Sequence, residues 1–371
     1  IKNLGGFYSR TATTWYNLDD AAKIYPLSMK ENHMAVFRLS FYLKSDVIPE
    51  ILQMALHFTI KRFPTFATTV KKGFFWHYLD STKRRYVVKK EDDIPCQALK
   101  ISSSNSQTFR VIYYKNRISV EFFHILTDGT GGLCFLKTLV FEYLNLLGVT
   151  TKDNEEIDIN DTPKKEEVKN EFDSIKIEKD SSGFIDKIAT QLGGALSKNM
   201  PCQILHFKMD SDKIKTIAKN KDITVTAYIL SKMFLASKLS TDDLNGEFNF
   251  QVPVNMRKFY SSKTLRNFSM YCGIRIPISE IDDDDKLLDN ISKQLTEKTS
   301  LKNMTKMMSS TRKMINALKY IPLIIKEPVA KIGYGFLGDK IFSSTLSNLG
   351  VVSVPKDFEP YIEGIDFVLG P

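Results

Sequence analysis

The stretch "SVEFFHILTDGTGG", Ser119–Gly132, decides how this chain is read. Its first residues alternate and then run continuously apolar, the pattern of a strand entering a buried layer. His124, one of five histidines in 371 residues, stands at the exit of that strand. Asp128 and Gly129 close the turn that follows, and further glycines lead into the apolar run "LCFLKTLVFEYLNLL". Two readings fit. In one, Asp128 caps a helix and His124 fills a gap in the packing. In the other, His124 faces a cavity between layers, beside a glycine turn that permits close approach, and acts as a general base.

The segments around this stretch mix strands and helices. "MAVFRLSFYL", Met34–Leu43, is rich in β-formers. "PEILQMALHFTIKRF", Pro49–Phe63, begins with proline and places Ile51, Leu52, Ala55, Leu56 and Ile60 on one helical face. Short strands are expected at 74–79 and 85–88. Phe109–Tyr114 and Ile118–Phe123 flank "KNR" as a hairpin, and a helix runs from about Gly132 to Leu147 with Gly148 as its stop. Thr151–Phe172 is almost all charge and cannot bury enough to fold alone, so it reads as a crossover. Beyond it come a strand near Ile204–Met209, helices from Ser211 and Thr224, the strands "FNFQVPVNMR" and "GIRIPI", and a mostly helical 283–320. The expected organisation is a first unit at 1–150, a crossover at 151–175 and a second unit at 176–371. The closing "GIDFVLGP" stops on a strand-like run, so the expectation is a chain cut short there.

Composition narrows the function classes. A hydrophobic content of 43% and a charged content of 26% describe a soluble protein with real cores, and no run of about 18 apolar residues marks a membrane span. No signal peptide is visible, and Cys96, Cys134, Cys202 and Cys272 are scattered without a CxxC pair, which fits a reducing cytoplasm. The net charge of +9 favours anionic partners, but the basic residues are spread out, which argues against nucleic acid and suits a phosphorylated small substrate. "GYGFLG", Gly333–Gly338, fits a dinucleotide fingerprint, yet no helix is expected after it, and a flexible loop is the better reading. His33, His57, His77, His124 and His206 lie far apart without a second ligand at helix spacing, so no metal site is expected. Cys134, on an apolar helix, reads as core packing and not as a nucleophile.

Written as His124-Ile-Leu-Thr-Asp128-Gly129, the turn is an HxxxDG motif. It resembles the signature of the acyltransferase superfamily that includes chloramphenicol acetyltransferase, the condensation domains of peptide synthetases, plant HxxxD acyltransferases and microbial alcohol acetyltransferases. "QVPVNMRKFYSSKTLRNFSMYCG", Gln251–Gly273, and "SSTLSNLGVV", Ser343–Val352, follow in the order of that family. The second segment, and "WYNLDDAAKIYPLSMKENHMAVFRLSFYL" at Trp15–Leu43, resemble the alcohol acetyltransferase branch. Phe123 stands where condensation domains carry a further histidine, and the plant DFGWG element is absent, which favours a free-standing acyltransferase.

The resemblance implies an α/β fold of mixed sheets: two chloramphenicol-acetyltransferase-like domains with an active-site tunnel between them. It implies no bound cofactor, with acyl-CoA (acetyl-CoA) as co-substrate and a small alcohol or amine as acceptor. His124 would be the general base. Asp128 would point away from substrate and pair with Arg257, whose planar fork can grip a carboxylate through two bonds. Gly129 would leave room for the backbone beside the histidine, and Ser347 and Asn348 are candidates for the oxyanion, although they also read as turn residues. The competing readings are a carrier-protein-dependent condensation or offloading enzyme and a non-catalytic binding protein of the same fold.

Overall fold

The computed structural model describes residues 14–28, 34–81, 86–99, 107–151, 157–178, 186–193, 203–242, 244–282, 285–337 and 340–370. Its first half runs β1 (Trp15–Asn17), α1 (Tyr25–Ser28), β2 (Val36–Leu43), α2 (Pro49–Arg62), β3 (Thr68–Lys72), β4 (His77–Ser81), β5 (Lys89–Lys90), β6 (Phe109–Tyr114), β7 (Arg117–Phe123) and α3 (Gly129–Leu146). The second half adds α4 (Ser211–Asn220), α5 (Val225–Lys238), β8 (Glu247–Asn255), α6 (Arg257–Tyr260), β9 (Ser269–Pro277), α7 (Asp285–Lys298), α8 (Leu301–Ala317), α9 (Leu323–Leu337), β10 (Ser344–Thr345) and β11 (Ile362–Leu369). The fold is mixed α/β, built on open sheets.

The largest sheet has the order β11-β2-β7-β6-β5, antiparallel except for the parallel β5–β6 pair. Alternation along β2 and β7 separates two faces. Phe37, Leu39, Phe41, Ile118, Val120 and Phe122 join a core with the apolar sides of α2 and α3. On the opposite face, register sets Glu121 directly across from both Arg38 and Arg110. Glu121 is fully buried, and its carboxylate takes a 2.7 Å bond from Arg38 Nε, a contact from Arg110 and a 2.8 Å bond from Cys96 N. A second core gathers around the sheet β10-β8-β9, with Phe234, Phe248, Phe250, Ile274 and Ile276.

The charged crossover is anchored at both ends. Residues 165–168 and 171–174 wind into short 3₁₀ turns. Arg62, at the end of α2, clasps Glu167 through two bonds of 2.6 and 2.7 Å. Phe172 and Ile175 enter the second core, and Leu265 N donates to Glu167 O at 2.8 Å.

Several expectations need correction. The strand placed at 74–79 begins only at His77, because Gly73 N bonds Trp76 O at 3.0 Å and makes 73–76 the turn of the β3–β4 hairpin. Tyr86–Val88 is not a strand, and 82–85 lie outside the described residues. The segment 203–210 has no ladder partner among the described residues and forms no strand; Leu205, Phe207 and Met209 lie exposed. "GYGFLG" is no flexible loop: residues 333–337 continue α9 despite the low helix propensity of glycine, and Gly338 lies outside the described residues. Apart from these corrections, the last residues of the chain reach the first core. β11 returns to fill the open edge of β2, and Phe358 joins the first core.

The clasp makes a direct test of the crossover. Glu167→Ala leaves the Arg62 guanidinium buried without its carboxylate, a loss of about 3 kcal/mol or more. Thermal unfolding should show a clear drop in Tm, and an unchanged Tm would show that the clasp contributes nothing to the fold.

Candidate active site

His124 is the first residue past β7. Its N–H extends the ladder by donating to Ala35 O at 2.8 Å, which fixes the backbone at the sheet's end. The half-buried ring stacks on Tyr25 of α1, with centroids 4.9 Å apart, and meets the edge of Phe37 at 5.2 Å. Its Nδ1 lies 3.0 Å from Asn267 Oδ1. Behind Asn267, its Nδ2 donates to Asp19 Oδ2 at 3.4 Å. A carboxylate oxygen accepts, so Asn267 must present its NH₂ to Asp19 and its carbonyl to the ring. The ring nitrogen facing that carbonyl therefore carries the proton. Nε2 is then the unprotonated nitrogen, with no hydrogen bond among the described residues.

Electrostatics act in the same direction. Burial pushes the His124 imidazole below its ordinary value, against the opposing pull of the Asp128 charge and the Asn267 bond. Burial also raises the Asp19 carboxyl to about 6, although Arg266, the Ala22 N–H and Asn267 oppose it. Asp19 is fully buried; its carboxylate takes a 2.8 Å bond from Ala22 N and lies 3.8 Å from Arg266 Nη2.

Asp128 sits where the sequence reading puts a cap. It precedes α3, and its Oδ1 accepts from Gly131 N at 3.2 Å. Its other oxygen gathers three donors at 2.8 Å each: Arg257 Nη1, Phe268 N and Ser269 Oγ. The guanidinium does not grip the carboxylate with both arms. Nε donates to Thr264 O at 2.8 Å and Nη2 to Arg266 O at 2.5 Å, so the fork staples the 264–269 segment onto the carboxylate. Burial alone would raise the Asp128 carboxyl, but Arg257 and the N–H donors outweigh it and hold it below the usual carboxylate range.

Gly131 is a packing requirement, because backbone fills the space beside it, whereas Gly129 faces only the mobile tip of a leucine. A Cβ on Gly131 would come within 2.2 Å of Leu265 O, and one on Gly129 within 2.8 Å of Leu349 Cδ2. Leu349 thus brings the segment after β10 against the motif. Within that segment Ser347 is half-buried. The exposed Asn348 spends its amide on Thr226 Oγ1 at 3.3 Å and on Gly350 N at 2.8 Å. Among the described residues neither has a hydrogen bond to His124. Sequence reasoning did not single out Tyr25, Asn267 or Asp19. All three lie inside quoted stretches ("NLDDAAKIYP" and "LRNFSM"), but no local pattern marked them, because their pairing joins segments far apart in the chain. No group of three or more His, Cys, Asp or Glu residues that could hold a metal ion occurs among the described residues.

No family model matches the chain, and no curated protein matches it significantly. Solved structures do. Polyketide synthase associated protein 5 from Mycobacterium tuberculosis aligns at TM-score 0.61 and 12% identity, over 96% of this chain and 88% of that one. TRI101 from F. sporotrichioides, in complex with coenzyme A and T-2, aligns at TM-score 0.60 and 12% identity, over 95% and 88%. The TRI3 trichothecene 15-O-acetyltransferase from Fusarium sporotrichioides aligns at TM-score 0.56 and 13% identity, over 97% and 87%. The chain therefore shares the mixed α/β fold of acetyltransferases of this type.

Asp128→Ala should cost several kcal/mol, on the order of 3–5, because it leaves the Arg257 guanidinium buried without its carboxylate. Arg257→Ala should cost a similar amount. The sign of the pH dependence follows from the lowered Asp128 pKa. Its contribution is complete above the ordinary carboxylate range and is lost as pH falls through the folded value. Denaturant titrations stepped down from neutral pH should thus find the gap between the two variants and the parent begin to narrow only below the ordinary carboxylate range. An undiminished gap at low pH would contradict this.

Proposed function

We propose that this chain is an acyl-CoA-dependent acyltransferase of the alcohol acetyltransferase type, carrying an acetyl group from a thioester to an alcohol. One observation carries the reading. The His124 ring donates from Nδ1 to an amide oriented by a buried carboxylate, which leaves Nε2 as a neutral base at the sheet's end. Acyl transfer needs such a group: it takes the hydroxyl proton as the oxygen attacks the thioester carbon, then returns it to the departing thiolate as the tetrahedral intermediate collapses. No covalent enzyme intermediate is required. Two acyltransferase-like units, 1–150 and 176–371 joined by the 151–175 crossover, would meet at a tunnel, with coenzyme A and acceptor approaching His124 from opposite sides.

In this proposal Asp128 and Arg257 hold the frame and do not touch the reacting atoms, and Gly129 keeps Leu349 close. Ser347 is the better candidate for the oxyanion, since the Asn348 amide is already engaged. The fold, shared with an acetyltransferase and with a protein solved with coenzyme A, supports the class of donor. The net charge of +9 suits its phosphates.

The test is thiol release from a panel of acyl-CoAs offered with small alcohols. His124→Ala should abolish turnover while leaving the melting temperature and CoA affinity near the parent's. CoA affinity, measured by calorimetry, should fall as salt rises, because surface charge is screened over about 8–10 Å at physiological ionic strength. Near-parental turnover by His124→Ala would overturn the mechanism. Use of a phosphopantetheinylated carrier protein without any CoA binding would replace the donor, and binding of neither would leave a non-catalytic binding protein.

A further inference from the structure

Helix α9 is turned inside out for a helix facing water. In its first turns, Lys326 and Glu327 are turned toward the protein. Lys326 is 3% exposed, with Nζ 3.3 Å from the Trp76 ring centroid and no hydrogen-bond partner among the described residues. Glu327 takes bonds of 3.0 Å from Lys72 Nζ to each carboxylate oxygen, and His77 Nε2 lies 3.4 Å away. Leu323 N donates to Phe74 O at 2.8 Å, which seats the helix start on the β3–β4 turn. Ile324 and Ile325, between these anchors, and Val329, just past them, point outward and are apolar: Ile324 is 81% exposed, Ile325 54% and Val329 65%. A helix settling against a core in water would do the reverse.

The apolar face continues beyond the helix. Tyr320, 75% exposed, precedes it, and Phe74, 72% exposed, stands at the turn beneath its first residue. Rings link these parts: Phe74 meets Phe75 at 4.8 Å and Phe75 meets Tyr320 at 6.4 Å, both edge to face. Isolated exposed apolar residues need no explanation, but a contiguous face of aliphatic and aromatic side chains marks a contact surface. Its rim is basic. Lys319 and Lys331 are exposed, and Lys319 Nζ sits 5.5 Å from the Tyr320 ring centroid. Glu327 is turned inward and neutralised by Lys72.

We propose that the outer face of α9, with Tyr320 and the Phe74–Phe75 turn, docks on an anionic lipid bilayer. Apolar side chains at a headgroup boundary, aromatic rings beside them and lysines facing lipid phosphates form the chemistry of interfacial attachment. The charge pattern selects lipid over a second copy of this chain: two copies meeting through this face would set basic rim against basic rim, and the overall charge of +9 adds to that repulsion. The inference stands apart from the acyl-transfer reading, since it concerns where the protein sits.

Liposome flotation of the full chain tests it, comparing phosphatidylcholine vesicles with vesicles also containing phosphatidylglycerol. The protein should float with the anionic vesicles, less so at high salt. The Ile324→Asp/Val329→Asp variant should lose at least about tenfold in partitioning, because charges replace residues that enter the boundary. Both positions are more than half exposed, so its melting curve should match the parent's. If it melts early, Lys319→Glu/Lys331→Glu carries the same test through the rim. Failure to float with anionic vesicles, or undiminished flotation of the variants, would overturn the proposal. So would a dimer detected by light scattering that Ile324→Asp/Val329→Asp dissociates.

Discussion

A single buried carboxylate organises the centre of this molecule. Asp128 caps α3 from the first half of the chain and receives Arg257, Phe268 N and Ser269 Oγ from the second. Its accepting capacity is nearly filled, and every donor comes from a segment that must be held close to His124. Asn267, which meets the His124 ring, immediately precedes Phe268 and Ser269. A shift of the carboxylate would move the amide that sets the tautomer of the histidine. Arg257 adds rigidity by fastening Thr264 O and Arg266 O with its remaining nitrogens. The glycine at 131 completes the arrangement, because the Leu265 carbonyl occupies the space a side chain would need.

Two buried carboxyls near one histidine have been given opposite tendencies by their surroundings. Asp128 gathers charge-assisted donors and is held ionised. Asp19, with Arg266 farther away, is pushed up to about 6 by burial. The first fixes backbone, and the second orients a side-chain amide. Neither carboxylate has a hydrogen bond to the His124 ring among the described residues, which separates this arrangement from a triad in which an acid grips the histidine directly. Ring burial against Tyr25 and Phe37 keeps the imidazole neutral, the form a proton acceptor requires.

Much of this was legible in the sequence, for physical reasons particular to each element. The 3.6-residue spacing from Ile51 to Ile60 and the period-two runs at 36–43 and 109–123 gave helix and strands that match the observed elements to within a few residues. His124 stood out because a polar residue at the exit of a buried strand is unusual. Local pattern could not show long-range pairing. The return of β11 to β2, and the lack of a ladder partner for 203–210 among the described residues, depend on neighbours distant in sequence. Asn267 and Asp19 were hidden for the same reason: 143 residues separate His124 from Asn267, and 248 separate Asn267 from Asp19.

The central claim is that His124 is a neutral base with its proton on Nδ1 and Nε2 free. Nitrogen-15 NMR of ring-labelled protein, titrated from pH 8 to pH 4 and assigned by comparison with His124→Ala, measures this directly. The expected spectrum shows the Nδ1–H tautomer at neutral pH and protonation at a midpoint below the ordinary imidazole value of about 6.5. An Nε2–H tautomer, or a midpoint above that value, would contradict the claim.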